Sequence, residues 1–102
     1  LAHPHPAKIV KMTEREIEQY LVKQIKKIGG KAIKMVPLHE TGIPDRLVLY
    51  KGVAIFVELK APGKKPRAIQ VAYMKELNQY GFTALVIDSK EGVNEFVKQL
   101  IR

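Results

Sequence analysis

The 102-residue sequence predicts a single α/β domain, a central β-sheet flanked by helices in the order α-β-β-β-α-β-α. Three observations predict it. An apolar period of helical spacing follows Thr13, two runs of β-forming residues meet at Lys51-Gly52, and a short apolar strand is set between two further helical stretches. With 46% hydrophobic residues the chain can build one core, and at this length a second domain does not fit.

Thr13 is a good N-cap with Glu16 three residues on, and Ile17, Leu21, Ile25 and Ile28 then form one stripe that Gly29-Gly30 ends. Lys31 to Leu38 reads as a first strand around Ile33 and Val36, closed by Pro37 and the loop His39-Glu40-Thr41-Gly42. Asp45 to Tyr50 and Val53 to Lys60 read as a hairpin turning at Lys51-Gly52. Ala61-Pro62-Gly63-Lys64-Lys65-Pro66 is too rich in Pro and Gly for regular structure. A helix from Arg67 to Tyr80 follows, with Ile69, Ala72, Tyr73, Leu77 and Tyr80 as its apolar residues and Gly81 as its stop. Phe82 to Ile87 is a strand, and Glu91 to Ile101 a closing helix with Val93, Phe96, Val97 and Leu100 inward.

Residues 1–11, with His3-Pro4-His5-Pro6, fit neither helix nor strand and precede Met12-Thr13-Glu14, which reads like a natural start. They are expected to be an expression leader or disordered arm, and 12–102 the domain. Eighteen Lys and Arg against ten Asp and Glu leave a formal charge of +8, which points to a polyanionic partner. The absence of cysteine excludes disulfides and thiolate zinc sites. No apolar run approaches the ~20 residues of a membrane span, so no membrane partner is expected and a cytoplasmic protein is the default.

A hairpin centred on Lys51-Gly52 sets Asp45 opposite Glu58, with Cβ atoms about 4.5–5.5 Å apart. Two like charges so placed destabilise a sheet unless something compensates, and a divalent cation would. Lys60 emerges on the same face, two residues beyond Glu58. Both faces of the hairpin are otherwise largely apolar, so the sheet should be covered on both sides. From the first helix either Glu18 or Glu14 has the spacing to reach the core side, and Gln70 stands in the first turn of the second helix, where an amide can meet a phosphate or a water. Lys64, Lys65 and Arg67 follow Lys60 closely and suit phosphate contacts. There is no Walker-type glycine loop, Ser-His-Asp order or paired-histidine zinc motif.

Gly42-Ile43-Pro44-Asp45-Arg46, then Phe56-Val57-Glu58-Leu59-Lys60-Ala61-Pro62-Gly63, then Pro66-Arg67 and Gln70, resemble the VRR-NUC (virus-type replication-repair nuclease) domains of the PD-(D/E)XK nucleases. The resemblance runs from Thr13 nearly to the C-terminus. It implies a restriction-endonuclease-like fold with a mixed sheet, Asp45 and Glu58 as ligands of Mg²⁺ or Mn²⁺ with the Leu59 carbonyl, and Lys60 orienting or activating the attacking water. Glu18 matches the first-helix glutamate of the related Holliday junction resolvases, with Glu14 as second choice; Gln70 matches the family's second-helix glutamine. Arg46 joins Lys64, Lys65 and Arg67 as a candidate DNA contact. Stand-alone domains of this kind look like phage-encoded homodimers that cut branched DNA, which would place this chain in the cytoplasm of a bacterial host. Two other readings remain: a non-catalytic nucleic-acid-binding module, and a sequence-specific restriction-type nuclease, for which so short a chain leaves little room.

Overall fold

The computed structural model describes residues 11–36 and 38–102, so the expected leader lies, except for Lys11, outside the described residues. Among the described residues the elements are α1 (Glu14–Lys27), β1 (Lys31–Lys34), β2 (Arg46–Tyr50), β3 (Val53–Leu59), α2 (Ala68–Gln79), β4 (Thr83–Ile87) and α3 (Lys90–Leu100), in the expected order. The strands form one mixed sheet in the order β1-β2-β3-β4. The first two pairings are antiparallel and β3-β4 is parallel, α2 making the crossover.

α1 begins in the capping box read from the sequence: the Glu16 N–H donates to Thr13 Oγ1 at 3.1 Å and the Thr13 N–H to Glu16 Oε1 at 2.9 Å. Its stripe of Ile17, Leu21 and Ile25 is fully buried. These residues and Val93 and Phe96 of α3 close over Val48, Val57, Leu59 and Ile87, the main core on one face of the sheet. The β2-β3 turn has Lys51 at φ 43° and Gly52 at φ 79°, the paired left-handed conformation of a type I′ hairpin, whose twist matches the strands it joins. That turn sets the register, in which Arg46 pairs with Val57 and Leu47 with Phe56.

Three expectations need correction. β1 stops at Lys34 rather than running to Leu38. Its last ladder-like bond is from the Met35 N–H to the Asp45 carbonyl at 2.9 Å. The next residue of the opposing chain is Pro44, buried and without an N–H to offer, so pairing ends there. The second correction concerns α2. Ile69, Ala72 and Tyr80 are exposed, and the buried positions are Gln70 and Met74, with Tyr73 and Leu77 partly covered. An apolar count passes over Gln70, whose amide is welcome inside only because a carboxylate meets it there. The third is the cover: α2 shields only part of the second sheet face, leaving Leu49, Phe82 and Val86 between a third and a half exposed.

All three helices run the same way relative to β3. α1 leads through Gly30 to Lys31, opposite Leu49; α2 ends before Thr83, opposite Ile55; and α3 starts just after Ile87, whose carbonyl accepts the Lys60 N–H at 3.0 Å. Their N-termini therefore sit at the end of the sheet that carries Asp45 and Glu58. Gly30 is required where α1 turns into β1, since a Cβ there would come within 2.8 Å of the Leu49 carbonyl oxygen.

Leu21→Ala removes a fully buried side chain from the α1 stripe and is expected to lower unfolding free energy by about 2–5 kcal/mol. Tyr80→Ser, at the exposed end of α2, should change it by less than about 0.5 kcal/mol. Urea denaturation of both variants checks the contrast.

Candidate active site

Asp45 lies one residue before β2, directly after Pro44, and Glu58 is the penultimate residue of β3. The hairpin register carried one pair further brings the two carboxylates together at the strand ends. The Leu59 N–H donates to Asp45 Oδ2 at 2.9 Å, so Asp45 is held across the strand pair by the backbone of the residue after Glu58.

Glu58 is only 2% exposed, and its environment is one-sided. Oε2 accepts from the Gln70 amide at 2.7 Å and from Lys60 Nζ at 3.1 Å, whereas Oε1 is buried with no donor. Burial raises the Glu58 carboxyl above its ordinary value and the Asp45 charge raises it further, with Lys60 acting in opposition. A carboxylate in a dry site, facing a second carboxylate and keeping one oxygen free, suits a hard divalent cation, because oxygen ligands are what such cations take. The residues present thus fit the group that the resemblance implies. Among the described residues no cluster of three or more His, Cys, Asp or Glu gathers there, so the acid pair stands without a third carboxylate.

The sequence places Gln70 in the first turn of α2 as a partner for phosphate or water, but its partner is Glu58, and it is the hinge of the arrangement. Its Oε1 accepts from the Arg67 N–H at 2.8 Å while its Nε2 donates to Glu58, tying the first turn of α2 to the acid. Both polar ends are engaged within the protein, not directed at a solvent-side phosphate.

Glu18 lies in a different cluster. Its Oε2 accepts from Lys34 Nζ and from Arg46 Nε, both at 2.8 Å, and Arg46 Nη1 also donates to the Ala32 carbonyl at 3.1 Å. Burial alone would raise the Glu18 carboxyl, but the hydrogen bonds and charges of Lys34 and Arg46 hold it below its ordinary value. Arg46 is consequently turned inward, with only 13% of its side chain exposed and its guanidinium engaged by Glu18 and the Ala32 carbonyl. Glu14 is exposed in the first turn of α1.

Lys64, Lys65 and Arg67 are exposed on the loop between β3 and α2. That loop begins with a turn closed by the Lys64 N–H on the Ala61 carbonyl at 2.9 Å, with Gly63 at φ 77° in the position of a type II turn that favours glycine. Asp88, passed over in the sequence, receives the Gly63 N–H on Oδ2 at 3.4 Å. Nothing in the sequence marks this residue, since the contact depends on β4 lying beside β3.

No protein-family model matches the chain. The chain is 46% identical over 79 residues to a protein described as "Putative nuclease p44" of Acyrthosiphon pisum secondary endosymbiont phage 1, a match covering 76% of this chain and 85% of that protein. A solved structure described as "VRR_NUC domain" superposes with a TM-score of 0.77 at 27% identity, covering 85% of this chain and 97% of the other.

The raised Glu58 value has a consequence for the metal-free protein. The native state holds that proton more tightly than the unfolded chain, so the associated stability is present below about pH 4.5 and lost as pH rises through the higher native value. Glu58→Gln should flatten this loss and leave the protein at least as stable as wild type at neutral pH. Thermal melts across pH in the presence of a chelator measure it.

Proposed function

The chain belongs to the VRR-NUC family of PD-(D/E)XK nucleases, and on that premise we propose that it is a Mg²⁺- or Mn²⁺-dependent endonuclease that hydrolyses DNA phosphodiester bonds, with branched DNA such as a four-way junction as its preferred substrate. The observation that carries the reading is the buried Glu58, unpaired at Oε1 and facing Asp45, with the Lys60 ammonium beside it.

In this reading Asp45 and Glu58 would hold the cation, and the Leu59 carbonyl would offer a further oxygen. When bound, the cation polarises the scissile phosphate and lowers the pKa of the attacking water. Lys60 brings positive charge to where the pentacoordinate phosphorus is most negative and orients the water for in-line attack. Gln70 holds Glu58 by Oε2 and so leaves Oε1 as the oxygen that would be available to a cation. Glu18 serves the site by fixing Arg46 and Lys34 near the strand ends, outside the set of ligands. Lys64, Lys65 and Arg67 grip the DNA backbone beside the scissile bond, where each lysine or arginine facing a phosphate adds salt-sensitive affinity.

A homodimer would carry two such sites for paired nicks and belongs to the same reading. So does action in the cytoplasm of a bacterial host, which the phage origin of the relative supports. Among the described residues no helix is long and apolar enough to cross a membrane.

Cleavage of labelled four-way junction, flap and duplex DNA with Mg²⁺ or Mn²⁺ tests the proposal. Chelator should abolish cutting, Asp45→Asn should remove it, and Lys60→Ala should lower the rate by about 10²–10³. A folded protein that binds these DNAs but cuts none of them with either cation would instead be a non-catalytic nucleic-acid-binding module.

A further inference from the structure

The connection from β1 to β2 returns directly into Asp45 and stands at the same end of the sheet as the acid pair. Two large apolar side chains project from it into solvent: Val36 is 69% exposed and Leu38 is 81% exposed. Single exposed hydrophobic residues are ordinary, but two of them two residues apart, beside a charged site, are not accounted for by packing.

The base of this loop is held firmly. Gly42 (φ 84°) seats against the first turn of α2 so closely that a Cβ would come within 2.7 Å of the Ile69 carbonyl oxygen, and Pro44 is buried. The Glu40 carboxylate lies beside the Tyr73 hydroxyl of α2. Ile69 is two residues from Arg67, so the base of this connection and the basic loop of Lys64, Lys65 and Arg67 both adjoin the first turn of α2.

We propose that Leu38, together with Val36, is an apolar wedge that enters the base stack of branched DNA while Lys64, Lys65 and Arg67 hold the phosphates, so that the backbone can bend into the acid pair. The inference rests on the DNA-cleaving reading above and names how that site selects its substrate. An apolar side chain inserted between base steps replaces stacking that is lost when DNA kinks, and that stacking must first be given up in intact duplex. A branch point has already lost part of that stacking, so a wedge favours branches over continuous duplex. The exposed Lys64, Lys65 and Arg67 of the neighbouring loop favour a polyanionic partner, and a nucleic acid is a polyanion with an apolar interior, its base stack.

The test places 2-aminopurine at the branch of a four-way junction and compares Lys60→Ala with Lys60→Ala/Leu38→Ser, both slowed in cleavage. The single variant should raise the fluorescence on binding. The double variant should bind with affinity within about threefold yet give no rise, and Leu38→Met should restore it. In the catalytically intact background, Leu38→Ser should slow junction cleavage about tenfold and spare a flap with pre-unpaired bases. An unchanged fluorescence rise in the Leu38→Ser variant overturns the wedge while leaving cleavage, and hence the nuclease reading, in place. If Leu38→Ser instead converts a dimer to a monomer in sedimentation, the tip is a self-association contact and the wedge is overturned. Failure to bind any DNA overturns the wedge and the nuclease reading together.

Discussion

A carboxylate taken out of water costs several kcal/mol unless donors meet it, and Glu58 is taken almost wholly out of water at the end of the sheet. Much else at that end is arranged around this one side chain. Gln70 is buried because Glu58 needs its amide, and the same glutamine caps the start of α2 through the Arg67 N–H. Lys60 is drawn to the same oxygen. Asp45 is anchored on the Leu59 N–H so that a second negative charge is kept close instead of swinging away. The arrangement leaves Glu58 Oε1 without a partner, a cost that a well-packed protein avoids unless a ligand relieves it. The local strain of charge against charge and the capacity to take a cation are one property seen from two sides.

The orientation of the helices supports this. α1, α2 and α3 all direct their N-termini toward the acid end, so their positive dipole ends face the region where a phosphate would arrive. The opposite end of the sheet carries the helix C-termini, with Lys26 and Lys27 in the last turn of α1 and Lys98 in that of α3. Part of the +8 charge is thus spent locally on helix ends and part on the loop beside the acids. A net charge alone does not distinguish these uses; position relative to the strands does.

Local chemistry was legible in the sequence and long-range choice was not. Thr13 and Glu16 announce a helix start because both partners of the box lie within one turn. Lys51-Gly52 announces the hairpin because two consecutive left-handed residues have few other uses. The end of β1 is not legible in its own residues, because the limit is imposed by Pro44, which lies across the sheet. The buried face of α2 is not legible in its apolar periodicity, because the burial of a glutamine is a choice that belongs to Glu58 on another element. Likewise Arg46 and Glu18, each plausible alone as a DNA contact and a metal ligand, are 28 residues apart and pair only when α1 lies on the sheet.

By itself the sequence determined the element order, the hairpin register and therefore the meeting of Asp45 with Glu58, because a two-residue turn and strand alternation are short-range constraints. Tertiary structure decided which oxygen of Glu58 is left free, that Gln70 faces inward, that Glu18 is taken up by Lys34 and Arg46, and that Asp88 reaches the Gly63 turn. Those outcomes depend on which helix face packs against which strand, and that packing is settled by the core of Ile17, Leu21, Ile25, Val93 and Phe96, far in sequence from the acids it positions.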